Sequence, residues 1–230
     1  TKDYKIIFTG SGATSAANLL VNVIDFYLYD DVYIYLTPYE HYSNHLPWLE
    51  MAKKYDNIKI TIIPFVSNTD FSGIIDLEWL ENNVKKLNLI KNKKILVLCS
   101  IIACSNVNGI IIDLPKIKNI LSLQITNQSI KYFLFADYAC SAPYVKIDGS
   151  ILDAFFFSPH KFIGGVSTPG ILVAKDYIFE KHEPFCPGGG CVKKIFHNNV
   201  TYLENIEMKE SAGSMNIVGI LKLSYIFKIK

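Results

Sequence analysis

Residues 4–36 read YKIIFTGSGATSAANLLVNVIDFYLYDDVYIYL. The run Tyr4 to Phe8 predicts a strand, and Val32 to Leu36 predicts a second one. Between them, the almost wholly apolar stretch Thr14 to Tyr29 predicts a buried helix. A strand, a helix and a strand in this order are typical of a βαβ unit, the repeating piece of parallel sheets.

The same alternation continues along the chain. We predict a helix from about His41 to Lys54, a strand at Ile58–Ile63, and a helix that begins after Asp76 as its N-cap. Further strands are predicted at Ile95–Cys99, Tyr132–Ala136, Phe155–Ser158 and Gly170–Ala174. The fold class is therefore α/β, with three α/β/α layers around a mostly parallel seven-stranded sheet. The 230 residues, half of them hydrophobic, fit a single domain over residues 1–230.

Composition limits the classes of partner and compartment. A formal charge of +2, with evenly spread lysines, does not favour nucleic acid or an acidic membrane. The longest apolar stretch, Ile95 to Cys104, is about half of what a membrane-spanning helix requires. Five cysteines, an odd number beside a large core, fit reduced thiols and an intracellular, by default cytoplasmic, protein. Because Thr1 stands directly before a strand, we expect an N-terminal segment to be missing, so organellar targeting stays open.

The turn after the first strand, Thr9 to Ser15, is rich in glycine. The free N–H groups of the helix that follows favour an anion such as a phosphate. The alternative is an ordinary turn with Thr14 or Ser15 as N-cap. A dinucleotide fingerprint also begins at Gly10, but Ser15 takes its third small-residue position and no acid ends the second strand.

Three polar residues follow later strands. His41 fits stacking on a flat cofactor, or a capping role. Asn106 fits donation to a phenolate or carboxylate oxygen, or an Asx turn. Asp137 ends a buried strand, where a carboxylate is costly unless it is paired, and a protonated pyridine nitrogen would pair it.

Lys161 lies in the run Ser158-Pro159-His160-Lys161, just before Gly164-Gly165. This pattern favours a lysine that forms a Schiff base with pyridoxal phosphate. Later, Cys186 and Cys191 flank a Pro-Gly-Gly-Gly turn that fits a metal half-site or a loop disulfide. A second ligand pair is absent nearby, so no metal is expected.

Together these motifs resemble class V aminotransferase-type, pyridoxal phosphate-dependent proteins of fold type I, nearest the cysteine desulfurases. The matching segments occur in family order over nearly the whole chain: Gly12-Ala13-Thr14, Glu40 to Trp48, Ser105 to Gly109, Asp137 to Ala139, Ser158 to Lys161, Gly188 to Gly190 and Gly213-Ser214-Met215.

The resemblance implies a role for each matching residue. Lys161 carries the cofactor, Asp137 pairs with its pyridine nitrogen, and His41 stacks on its ring. The phosphate would be held by Ala13, Thr14, Ser158 and His160. Asn106 would lie near the phenolate or the substrate carboxylate, and Ser214 would reach the phosphate of a neighbouring subunit, which implies a homodimer. Cys140 stands where desulfurases usually carry a glutamine that bonds the phenolate, and a thiol is a weaker donor.

The implied reaction converts the amino-acid substrate cysteine to alanine and leaves persulfide sulfur on the enzyme. The resemblance also implies a small C-terminal domain beyond Lys230, with a carboxylate-binding arginine and a sulfur-accepting cysteine. Alternatives are a related lyase, transaminase or epimerase, or a pseudoenzyme kept as an interaction module. We expect this chain without its flanks to bind the cofactor weakly and to turn over little.

Overall fold

The computed structural model describes residues 3–67, 73–197 and 199–229, so the predicted domain ends, Thr1 and Lys230, lie outside it. Its strands are β1 Tyr4–Thr9, β2 Asp31–Leu36, β3 Ile58–Ile62, β4 Ile95–Ile102, β5 Ile130–Asp137, β6 Ala154–Phe157, β7 Gly170–Lys175, β8 Val192–Phe196 and β9 Asn199–Tyr202. Its α-helices are α1 Gly12–Val23, α2 Tyr42–Lys54, α3 Leu77–Leu87, α4 Leu114–Gln124, α5 Ile206–Lys209 and α6 Ile217–Ile229. None of the helices in these described ranges is long and apolar enough to cross a membrane.

The predicted α/β class and the seven-stranded sheet are confirmed. The strands of the sheet follow the order β1-β7-β6-β5-β4-β2-β3, and β8 with β9 forms a separate hairpin that the sequence did not predict. The described residues divide into two compact units: those within 1–25, 138–147 and 154–230 belong to the first, and those within 26–137 and 148–153 belong to the second. That residues 1–230 act as one cofactor-binding domain stays a prediction.

The second unit contains a parallel sheet. Strand β2 pairs in parallel with both β3 and β4, and β4 pairs in parallel with β5. Every residue of β4 is buried, as expected for a central strand that is covered on both faces. Asp76 caps α3 as predicted, since its Oδ1 accepts a hydrogen bond of 2.8 Å from the N–H of Trp79.

In the first unit, β7 runs antiparallel to both β1 and β6. The chain between β6 and β7 holds only the 3-10 turn Pro159–Lys161, which is too short for the helical crossover that a parallel pair needs. Helix α1 packs on β7 and β6 in this unit.

Helix α1 ends at Val23, six residues before the predicted Tyr29. The carbonyl oxygen of Val23 accepts hydrogen bonds from the N–H groups of Glu180 (3.0 Å) and Lys181 (3.2 Å). Ile24 then takes an extended conformation. A tertiary contact therefore ends a helix whose apolar pattern continues.

Candidate cofactor site

The turn between β1 and α1 packs directly on the segment that leads to Lys161. The N–H of Ala13 donates a hydrogen bond of 2.8 Å to the Oγ of Ser158. Gly12 has a φ of +59°, and a Cβ there would lie 2.7 Å from the Cε1 of His160 and 2.8 Å from the Oγ of Ser158. Only a residue without a side chain fits this junction, which joins three of the predicted phosphate ligands in one place.

The first N–H groups of α1 are bonded within the protein: Ser11 donates to the Oγ of Ser15 (2.7 Å), Gly12 to the carbonyl of Gly10 (3.2 Å) and Ala13 to Ser158. The N-cap of the helix is Ser11, whose side chain makes no capping hydrogen bond to the residues that the structure describes. The prediction of Thr14 or Ser15 as N-cap is wrong, because both lie inside the first turns of the helix. Thr14 and His160 are exposed beside this turn, and the positive end of the helix dipole favours a phosphate there.

Gly12 offers a direct test of this junction. We expect Gly12→Ala to lower the unfolding free energy of the apo protein by about 1–2 kcal/mol, because a Cβ is strained in the left-handed region and meets Ser158 and His160. The matched control is Gly10→Ala, where the nearest atom to a new Cβ is the Ser15 Oγ at 3.5 Å. Equal losses in thermal or urea unfolding for the two variants would contradict a tight junction.

Lys161 closes the 3-10 turn Pro159–Lys161, held by a hydrogen bond of 3.0 Å from its own N–H to the carbonyl of Ser158. Its side chain is exposed and lines a cavity of about 180 Å³ together with Tyr144, Phe162 and Ile226 of the same unit. The amine is thus free to meet a ligand from solvent, beside an apolar wall.

Asp137 is the last residue of β5 and is fully buried. It lies opposite Ile102 in the β4–β5 register, and its carbonyl accepts a hydrogen bond of 2.9 Å from the N–H of Ala103. Its carboxylate is close enough to raise the pKa of Glu40. A buried acid at the carboxyl ends of parallel strands is where α/β folds bind their ligands.

His41 is the N-cap of α2. Its Nδ1 accepts a hydrogen bond of 3.1 Å from the N–H of Ser43, while the side chain stays exposed. The capping role left open by the sequence is therefore real. It fixes the ring by one nitrogen and places the proton of the neutral ring on Nε2. Stacking on a cofactor stays a prediction.

Three further predicted residues lie on loops. Asn106 is exposed in the β4–α4 loop, where the Asx-type bond is made by Asn108, whose Oδ1 accepts from the N–H of Ile110 (3.2 Å). Cys140 is half-buried in the turn after β5. Ser214 is exposed and lines a cavity of about 400 Å³ in the first unit, together with Gly10 of the β1–α1 turn.

The cysteines near the glycine turn form no disulfide. Cys186 and Cys191 are free thiols, which corrects the disulfide alternative. The Cys191 thiol instead donates to the carbonyl of Gly188 at 3.0 Å. No group of three or more histidine, cysteine or acidic side chains placed to hold a metal occurs in the described ranges.

Sequence reasoning missed the structural importance of Glu40. Its side chain is buried and accepts hydrogen bonds from the Oγ1 of Thr37 (2.7 Å), the Nδ2 of Asn44 (2.6 Å) and the N–H of Ile102 (2.9 Å). Thr37-x-x-Glu40 and Glu40-x-x-x-Asn44 are spacings at which such side chains meet, and they were the signal available. The bond to Ile102 spans 62 positions and has no local signature.

Burial raises the pKa of Glu40 from 4.5 to about 7, with the Asp137 charge adding to the effect. A carboxyl whose folded-state pKa is raised stabilises the fold fully at low pH, and this contribution is lost as the pH rises from about 4.5 through 7. We expect the unfolding free energy of the apo protein to fall by up to about 3 kcal/mol over this window, and less in Glu40→Gln. The measurement is denaturant unfolding of both proteins across this pH range. If the unfolding free energies of wild type and Glu40→Gln changed by the same amount with pH, the raised pKa would not belong to Glu40.

Comparison with known proteins adds an independent line of support. Residues 1–229 match the family model for aminotransferase class-V. The chain is 32% identical to a cysteine desulfurase of Wigglesworthia glossinidia brevipalpis over 96% of its length, and 34% identical to a probable cysteine desulfurase of Borreliella burgdorferi over 97%. It spans about half the length of these curated relatives (50% of each).

A solved structure is similar over the same range. The apo cysteine desulfurase from Thermococcus onnurineus NA1 matches with a TM-score of 0.76 and 26% identity, over 97% of this chain and 52% of that one.

Proposed function

The chain belongs to the aminotransferase class-V family, and from this premise we propose that it binds pyridoxal phosphate on Lys161 and takes sulfur from cysteine. Class V aminotransferases and cysteine desulfurases are pyridoxal phosphate enzymes, and relatives that carry the desulfurase name match nearly the whole chain. The observation that carries the proposal is the junction of Gly12 and Ala13 with Ser158 and His160. It sets a helix N-terminus beside the segment that bears the lysine.

The residues present fit this cofactor in each unit. In the first unit, the phosphate would meet the positive end of the α1 dipole and the exposed side chains beside it. The residues assigned to it are Ala13, Thr14, Ser158 and His160. In the second unit, the buried Asp137 supplies the anion that a pyridinium nitrogen needs, and the exposed His41 ring supplies a flat surface.

When bound, pyridoxal phosphate supplies an electron sink for the bonds of the substrate Cα. Lys161 would hold the cofactor through its amine, and the same amine would move a proton at the substrate Cα as general base and acid. Asp137 would hold the proton on the pyridine nitrogen, and His41 would cover the ring. Asn106 would orient the phenolate or the substrate carboxylate, and Cys140 would face the phenolate as a weak donor.

Ser214 extends the proposal to a homodimer. It is exposed on the loop that precedes α6, so its hydroxyl is available to a phosphate outside its own subunit. We propose that, in the dimer, the Ser214 hydroxyl of each subunit contacts the cofactor phosphate bound in the other.

The test uses the complete natural protein purified with pyridoxal phosphate. In the presence of a thiol reductant, which reduces the persulfide sulfur to sulfide, we expect a yellow protein that forms sulfide and alanine from cysteine in equal amounts. A yellow protein that turns over another amino acid without sulfide would favour a related lyase, transaminase or epimerase, an outcome that the Cys140 departure makes worth measuring. A protein that never takes up the cofactor would overturn the proposal and favour an interaction module.

A further inference from the structure

Glu40 stands at the centre of a buried polar network in the second unit. Its Oε1 accepts three hydrogen bonds, from the Oγ1 of Thr37 (2.7 Å), the N–H of Thr37 (3.3 Å) and the N–H of Ile102 (2.9 Å). Its Oε2 accepts a fourth, from the Nδ2 of Asn44 (2.6 Å). In all four bonds the partner is the donor and a carboxyl oxygen of Glu40 is the acceptor.

Asn44 extends this network to the end of β4. Its side chain is fully buried, with Oδ1 accepting from the Oγ of Ser100 (2.7 Å) and from the Nε1 of Trp48 (3.3 Å). Its Nδ2 also donates to the carbonyl of Ser100 at 3.2 Å. The loop that carries His41 is thereby tied to β4 from both sides, through Glu40 before His41 and Asn44 after it.

The anchor point on β4 adjoins the proposed cofactor anion. Ile102, which donates to Glu40, lies opposite Asp137 in the strand register. Glu40, the residue that precedes His41, is therefore bonded through a single backbone N–H to the strand pair that ends at Asp137. The exposed His41 ring is bonded to the N–H of Ser43 in its own loop, so its place relative to β4 depends on where that loop is held.

We propose that Glu40 is a positioning residue for His41: its carboxyl fixes the β2–α2 loop to the end of β4, and so holds the His41 ring in the place where it meets bound pyridoxal phosphate. This inference rests on the proposed function. It adds a residue that touches neither cofactor nor substrate and acts through another side chain.

A double-mutant cycle on the complete natural protein tests the inference. We expect Glu40→Ala to weaken pyridoxal phosphate binding about tenfold and to reduce the circular dichroism of the bound cofactor, the low end of the ~10–100-fold cost of losing residues that orient metal ligands. In a His41→Ala background, the same replacement is expected to change the affinity less than about twofold, because the side chain through which Glu40 acts is gone.

Two milder variants keep the test meaningful if Glu40→Ala folds poorly. Thr37→Val removes only the Oγ1 donor and is expected to show the same dependence on His41 at smaller size. Glu40→Gln retains an acceptor for Ile102 but turns an amide donor toward Asn44, so it is expected to restore part of the affinity. The matched control is Asp76→Ala, which removes the α3 N-cap in the same unit and costs stability of about 1 kcal/mol without weakening cofactor binding.

The outcomes separate the two levels of the proposal. An equal loss from Glu40→Ala with and without His41, or an equal loss from Asp76→Ala, would mean that Glu40 is only structural and would overturn the inference alone. A wild-type protein that binds no pyridoxal phosphate would overturn the proposed function and this inference with it.

Discussion

Lys161→Ala is expected to abolish the visible absorption band of the bound cofactor and to lower cysteine turnover at least about a thousandfold, because in the proposed function the same amine binds the cofactor and moves the proton. The side chain is exposed on a 3-10 turn, so its removal leaves no buried cavity. Thermal unfolding of the apo protein is therefore expected to stay close to wild type. The measurement is an absorption spectrum beside a sulfide assay on the same preparations.

Two control variants distinguish the effect of losing the Lys161 amine from the effect of losing its charge and from the effect of replacing any exposed lysine. Lys161→Arg keeps a positive charge but does not form an imine, so it is expected to lose the band as completely as alanine. Lys86→Ala, on an exposed position of α3, is expected to leave both band and turnover intact. A Lys161→Ala protein that still shows the band would require another lysine to carry the cofactor.

Asp137→Asn is expected to lower turnover about 100- to 1,000-fold, which is the usual cost of removing one preorganised electrostatic partner of a developing charge. The amide is nearly the same size, but it does not hold a proton on the pyridine nitrogen. In the apo protein the carboxylate is fully buried and acts on a second buried acid, Glu40. We therefore expect apo stability not to fall, and the pKa of Glu40 to drop.

Asp153 is the matched control for this prediction. It is also buried in the second unit, but its Oδ2 accepts from the N–H of Leu134 (2.8 Å) and pairs with Lys118 (3.2 Å). Asp153→Asn is expected to cost about 1–3 kcal/mol of stability while sparing the chemistry. If Asp137→Asn instead destabilised the apo protein and spared turnover, Asp137 would be a structural acid like Asp153.

Local signals explain what could be predicted about the fold. The alternation of apolar runs and helical patterns identified the strands of the sheet, with ends displaced by up to three residues, and the Asp76 cap was predicted in place. Local patterns failed where contacts with residues far along the chain determine the structure. Helix α1 ends at Val23 because Glu180 and Lys181 take its carbonyl, and the hairpin of β8 and β9 carries no strong turn signal.

For the candidate site, too, the sequence supplied some of the information and the structure supplied the rest. Motif order identified Lys161, Asp137 and His41 as residues to which the chemistry can be assigned, since their types and neighbours are written in the chain. The sequence also offered two meanings for His41, and the structure supports capping without removing the other, because the ring remains exposed.

By itself, then, the sequence determined the class of fold and the order of its strands along the chain, and it supplied the candidates for the reactive side chains, because these depend on short-range periodicity and residue type. Only the tertiary structure decided that Ala13 meets Ser158 across 145 positions, and that Glu40 meets Ile102 across 62. Such contacts form because buried donors and acceptors must find partners wherever the packed chain brings them. That requirement has no local pattern, and it is what places the β1–α1 turn beside the Lys161 segment and ties the His41 loop to β4.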